Sequence, residues 1–143
     1  MIIYTIKKLS SFIFVIFFCT YAYSLENKIL IKIDNDIITL IDLEKEINYL
    51  TALNPNIKNL EKNRIRKISM NSLVREKIKL NELLKYMEVV DIENEYLDLL
   101  IESMFLKLGL NSTEEFIDYL KRNNVEIQEV NEKLKIEIIN FIG

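Results

Sequence analysis

Residues 28–43 read KILIKIDNDIITLIDL, and a change of rhythm inside this stretch decides the fold. Ile29, Ile31 and Ile33 alternate with other residues, the period-two pattern of a half-buried strand. Asp34-Asn35-Asp36 is turn chemistry, because Asn and Asp tolerate left-handed backbone angles. Ile37-Ile38 predicts a short returning strand. Thr39 followed by Asp42 predicts an N-cap with an acid at the third helical position. Leu40, Leu43, Ile47 and Leu50 then share one helical face. A hairpin thus hands over directly to a helix. A lone hairpin is marginal in water, so this one must lean on helices.

Downstream the helical spacing persists. Asn54-Pro55-Asn56 ends the first helix, since proline restricts the residue before it. A long helix is expected from about Leu60 to Met87, with Met70, Leu73, Val74, Ile78, Leu80, Leu83, Leu84 and Met87 on its apolar side. Its opening turns carry Lys62, Arg64, Arg66 and Lys67, which oppose the helix dipole. They read as a solvated face or as a contact for an acidic partner. Asp91 or Glu93 opens a third helix with Leu97, Leu100, Ile101, Met104 and Leu108 on one side, stopped by Gly109. Ser112 followed by Glu115 fits a capping box for a short helix with Phe116, Tyr119 and Leu120, ending at Asn123-Asn124. A last helix carries Ile127, Val130, Leu134, Ile138 and Phe141 at spacings of three or four. The expected fold is mainly α, a short N-terminal β-hairpin followed by about five helices.

Upstream lies a different kind of segment. Lys7 and Lys8 precede an apolar stretch from Leu9 to Ala22, and Ala22 and Ser24 fit the −3 and −1 positions of a signal peptidase site. Residues 1–24 therefore read as a signal peptide cut before Leu25. The alternative is an uncleaved anchor, but a spanning helix wants about 20 apolar residues and this run is shorter. Cys19 follows Phe18 rather than a small residue, which argues against lipid attachment. Residues 25–143 form one domain of a size that supports a single modest core.

Composition excludes several chemistries. The chain has 143 residues and a net charge of −3, and without Lys7 and Lys8 it keeps 17 basic against 22 acidic residues, or −5. Such a chain has no electrostatic reason to seek nucleic acid. It contains no histidine, two glycines and one cysteine. The usual general base and the usual metal ligand are therefore missing, as is a glycine-rich phosphate loop. Loss of Cys19 with the signal leaves no internal disulfide. Asp34-Asn35-Asp36 lacks the glycine and terminal glutamate of a calcium loop. The acid pairs Asp34/Asp36, Glu93/Glu95 and Glu114/Glu115 sit at turns or helix starts, where capping explains them. No catalytic residue, metal ligand or cofactor is expected. Aromatic and methionine side chains near apolar faces serve as core or as an adaptable peptide-binding surface. The candidates for peptide contact are Tyr49, Tyr96, Met104, Phe105, Ile138 and Phe141.

The order of these elements resembles the SurA family of periplasmic chaperones. The resemblance is carried by the strand, turn, strand and Thr-capped helix at 33–43. It continues with Leu73-Val74-Arg75-Glu76-Lys77, Leu80 and Met87-Glu88-Val89, then with Asp91-Ile92-Glu93. Glu114-Glu115-Phe116 with Leu120, and Leu134-Lys135-Ile136-Glu137-Ile138, complete it. It spans about Asn27 to Phe141. Asp34 departs from the family's usual apolar-then-Asn step. The resemblance implies an N-terminal chaperone domain that holds unfolded outer-membrane proteins in the periplasm without ATP. The family's parvulin domains typically use histidines, and this chain has none, so isomerase activity is not implied for it as it stands.

Three functional expectations follow. The first is that chaperone domain, touching the membrane only through its signal before cleavage. The second is the N-terminal part of a longer prolyl isomerase. The third is a small periplasmic helical protein that dimerises through its last helix. The last helix reaches Ile142-Gly143 with its apolar face still running. This predicts an exposed face for a C-terminal segment, a second copy or client chains.

Overall fold

The computed structural model describes residues 28–33, 36–85 and 94–142. Strands β1 (Ile29–Ile33) and β2 (Asp36–Thr39) form an antiparallel pair. Six helices follow among the described residues: α1 (Leu40–Leu53), α2 (Pro55–Lys58), α3 (Lys62–Leu84), α4 (Asn94–Lys107), α5 (Thr113–Arg122) and α6 (Ile127–Ile142). The mainly α architecture behind a hairpin is as the sequence implies. The sixth helix is α2, a single turn with Pro55 at its start and Asn54 as its cap. It forms because proline suits the first helical position. It also places Leu60 in a turn, so α3 begins at Lys62 rather than Leu60. The far end expected for that helix, at Met87, lies outside the described residues, as do the turn residues Asp34 and Asn35 and the signal residues Ala22, Ser24 and Leu25.

The hairpin pairs Ile31 with Ile38, Lys32 with Ile37 and Ile33 with Asp36, with a register shift between Ile29 and Ile31. That irregularity breaks the expected alternation. Leu30, Ile31 and Ile33 turn toward the protein while Ile29 stays exposed. A bulge rotates the residues on one side of it, which is why the three isoleucines do not share a face.

The helix ends follow local chemistry. Thr39 Oγ1 accepts from the Asp42 amide, and the Asp42 carboxylate accepts from the Thr39 amide at 2.8 Å, a complete capping box. At α5 the box is only half formed. Ser112 accepts from the Glu115 amide, but the Glu115 carboxylate accepts from Asn111 instead. Gly109 at φ +75° and Asn124 at φ +56° occupy the left-handed region after α4 and α5. There the Leu110 and Val125 amides reach back to the Phe105 and Leu120 carbonyls, closing both helix ends as Schellman turns.

Two apolar clusters result. The smaller joins Ile38, Leu43 and Leu73 with Leu30, Ile31, Ile33, Ile47, Met70 and Val74, seating the hairpin on α1 and α3. The larger is built from α4, α5 and α6 around Phe116, Leu120, Val125 and Val130, with Ala52, Tyr49 and Leu53 of α1. Tyr119 ties the two parts of this cluster by donating to the Ala52 carbonyl at 2.7 Å. The apolar face of the last helix is not open as expected. Ile127, Val130, Leu134 and Ile138 all face this cluster, because α4 and α5 supply apolar surface enough to cover them. Ile78, expected on the inner side of α3, is 48% exposed.

Replacing Thr39 with Val removes the cap while keeping the shape. The expected loss is about 1 kcal/mol, read as a fall in Tm of roughly 4–8 °C.

Candidate functional site

The chemistry that stands out is a partly buried ion cluster where α1, α3 and α6 meet. Lys133 of α6 places its ammonium 2.8 Å from Glu46 Oε2 of α1 and in contact with the Glu76 carboxylate of α3. The ring of Tyr49 lies beneath it, 5.0 Å from Nζ to the ring centre, a cation–π distance. Glu46 is only 1% exposed. Neither of its carboxylate oxygens has a well-aligned hydrogen-bond partner among the described residues, and the nearby Lys133 ammonium balances its charge.

Tyr49 was a candidate from the sequence, whereas Glu46, Glu76 and Lys133 were not singled out as site residues, though a signal existed. Glu46 falls three residues after Leu43 and four before Leu50, in phase with the apolar face of α1. A charge on an apolar stripe needs a partner, but only the fold says that the partner is 87 residues away.

Protonation follows from burial and neighbours. Burial pushes the Tyr49 phenol well above its ordinary value, and the surrounding carboxylates of Glu137, Glu46, Glu76 and Glu129 push the same way. Burial also raises the Glu129 carboxyl, against the pull of Lys133 and Lys45. For Lys133 burial works downward, but contact with Glu46 and Glu76 outweighs it and the pKa ends above the usual lysine range. The ammonium is thus held charged, and it serves as a fixed cation rather than a base.

A groove of about 470 Å³ opens beside this cluster, within the size range of ligand sites. Tyr49, Leu50, Ile68 and Ile136 give it apolar wall, while Asn71, Ser72, Arg75 and Lys79 line it with donors and acceptors. A second groove of about 360 Å³ shares Glu46, Glu76, Lys133 and Ile136 with it and adds Asp42, Lys45 and Glu129. A third, about 850 Å³, lies between α4 and the start of α5, lined by Glu95, Asp98, Glu102 and Glu114 over Leu99, Ile101 and Phe105.

The six candidate peptide-contact residues are not gathered in one place. Tyr49 lines the first groove and Phe105 the third. Phe105 and Ile138 are buried members of the larger cluster, and Met104 packs against it. Tyr96 is exposed on α4. Phe141 lies in the last turn of α6, and its side chain falls outside the described residues. Among the described residues no group of His, Cys, Asp and Glu is placed to hold a metal ion. None of the described helices is long and apolar enough to cross a membrane. No protein-family model, curated protein or solved structure matches the chain.

Lys133→Met leaves Glu46 buried with an uncompensated charge and is expected to cost about 3–5 kcal/mol, measured by urea unfolding. Adding Glu46→Leu should return most of that loss, because the pair is then replaced by apolar packing.

The pH dependence has a definite sign. Lys133 and Tyr49 both have raised pKa values in the folded state. Their contribution is complete below the unfolded values, about 10, and disappears as pH rises through the folded ones. The urea midpoint should therefore fall above about pH 10, and the fall should be shallower in Lys133→Met/Glu46→Leu.

Proposed function

We propose that this chain is a binding module, a periplasmic domain that holds extended segments of unfolded outer-membrane proteins without ATP. The observation that carries this reading is the groove between α1, α3 and α6. Its apolar wall of Tyr49, Leu50, Ile68 and Ile136 suits the side chains of an unfolded segment. Asn71 and Ser72 on the same groove offer partners to the unpaired amides and carbonyls of an extended backbone. The fixed charges of Lys133, Glu46 and Glu76 keep the groove from closing on itself, since each is more stable paired here than facing an apolar neighbour.

The wider reading draws on the sequence. A charged, then apolar, then small-residue order over residues 1–24 supports delivery to the periplasm. The resemblance to the SurA chaperones supports outer-membrane proteins as clients. A shallow, mixed groove supports modest affinity and quick release, because affinity follows anchoring quality rather than area.

The test is aggregation of an unfolded β-barrel protein diluted from denaturant. The protein, added at several-fold excess, should suppress light scattering. Ser72→Trp, which fills the groove from a half-buried surface position, should abolish suppression while leaving helix content and Tm unchanged. Absence of suppression by the unaltered protein, or full suppression by Ser72→Trp, would overturn the proposal.

A further inference from the structure

Helix α4 is apolar on two opposite sides. Leu97, Ile101 and Phe105 face the core. On the outer side Tyr96, Leu99 and Leu106 are 48%, 56% and 57% exposed. At 100° per residue these three share one face, so a helix face of apolar character stands open to solvent. Beside it runs an acidic stripe, Glu95, Asp98 and Glu102, at spacings of three and four. With Glu114 of α5 these acids rim the third groove, whose lining includes no basic residue.

That flank decides what can cover the face. A second α4 laid across it would bring like charges together, which is unfavourable at close range. The occupant must be cationic and carry some apolar surface. One such surface exists on this same chain. The outer face of α3 carries Arg64, Lys67, Arg75 and Ile78, all exposed and at helical spacings of three, eight and three. Among the described residues Arg64, Lys67 and Arg75 make no ion pair, while Glu82 on the same face is paired with Lys85. The first turn of α3 has no acid, and its cap residue Glu61 makes no side-chain cap hydrogen bond. Arg64, in the first turn, therefore opposes the helix dipole. From Arg64 to Ile78 is about 21 Å of helix, and from Glu95 to Leu106 about 17 Å. The two faces are opposite in charge, and each carries exposed apolar side chains beside its charged ones.

We propose that the outer face of α3 in one copy of this chain docks on the outer face of α4 in a second copy. Arg64, Lys67 and Arg75 meet Glu95, Asp98 and Glu102, and Ile78 covers Leu99 or Leu106. The contact differs from dimerisation through the last helix, and it stands apart from the client-binding reading. Arg75 also lines the first groove, so the test uses Arg64 and Lys67, which do not.

The test is sedimentation of the full chain, in the form its cell accumulates, over a range of concentrations. Weight-average mass should rise above the single-copy value in low salt. It should return to that value in 1 M salt, where the screening length is about 3 Å. Arg64→Glu/Lys67→Glu and, separately, Asp98→Lys/Glu102→Lys should each stay single, with unchanged circular dichroism. Mixed in equal amounts, the two variants should associate again, since an acidic α4 face then meets an intact basic α3 face. Association that survives high salt or either variant overturns the proposal and points to an apolar contact elsewhere. A protein that stays single throughout also overturns it, leaving the α4 face to a basic segment of some other chain.

Discussion

The ammonium of Lys133 is the point on which the rest of the structure turns. A carboxylate as buried as that of Glu46 is tolerable only with a cation held against it. That cation comes from α6, the last helix, and it also engages Glu76 of α3. One side chain thereby fixes three helices that are far apart in sequence. The position of α6 sets where Val130, Leu134 and Ile138 fall, and hence where the larger apolar cluster closes. Apolar packing is forgiving of small slides, whereas an ion pair out of water is not. The cluster therefore specifies register, while the apolar faces supply most of the driving force.

The same arrangement explains why grooves persist. Helix α1 serves two cores at once, with Leu43 and Ile47 toward the hairpin and Tyr49, Ala52 and Leu53 toward α5 and α6. The charged groups at the junction cannot be covered by aliphatic side chains without loss. Open, mixed-polarity channels remain beside them. The faces most exposed to a partner are thus a consequence of how the interior is held, as is the unpartnered outer side of α4. Its inner side was already satisfied by α5 and α6.

Much of the fold was legible because it depends on neighbours in sequence. The Thr39–Asp42 cap, the stop at Gly109 and the inward faces of α4 and α5 all follow from residues within one or two turns. The failures have equally local reasons. The bulge near Ile29 reversed one residue's direction, Pro55 began a turn of helix where only a stop was expected, and Ile78 falls in phase with Arg64, Lys67 and Arg75 on the outer side of α3, away from Leu73 and Leu80. Of the candidate contact residues, Tyr49 lines the central groove and Phe105 the acidic one, while Ile138 is core. Apolar spacing cannot distinguish a side chain facing a neighbour from one facing a channel.

The sequence by itself determined the element types, most of their ends and the inward faces, because capping, helix period and backbone preference act over three or four residues. Composition also shows that the chain has no histidine and two glycines. Only the tertiary structure decided that Lys133 meets Glu46 and Glu76, that the last helix is covered through Ile138, and that the basic side of α3 and the acidic side of α4 both remain open. Those facts concern pairs of surfaces separated by tens of residues, and the free energy of bringing two surfaces together is a property of the pair and of the water displaced between them.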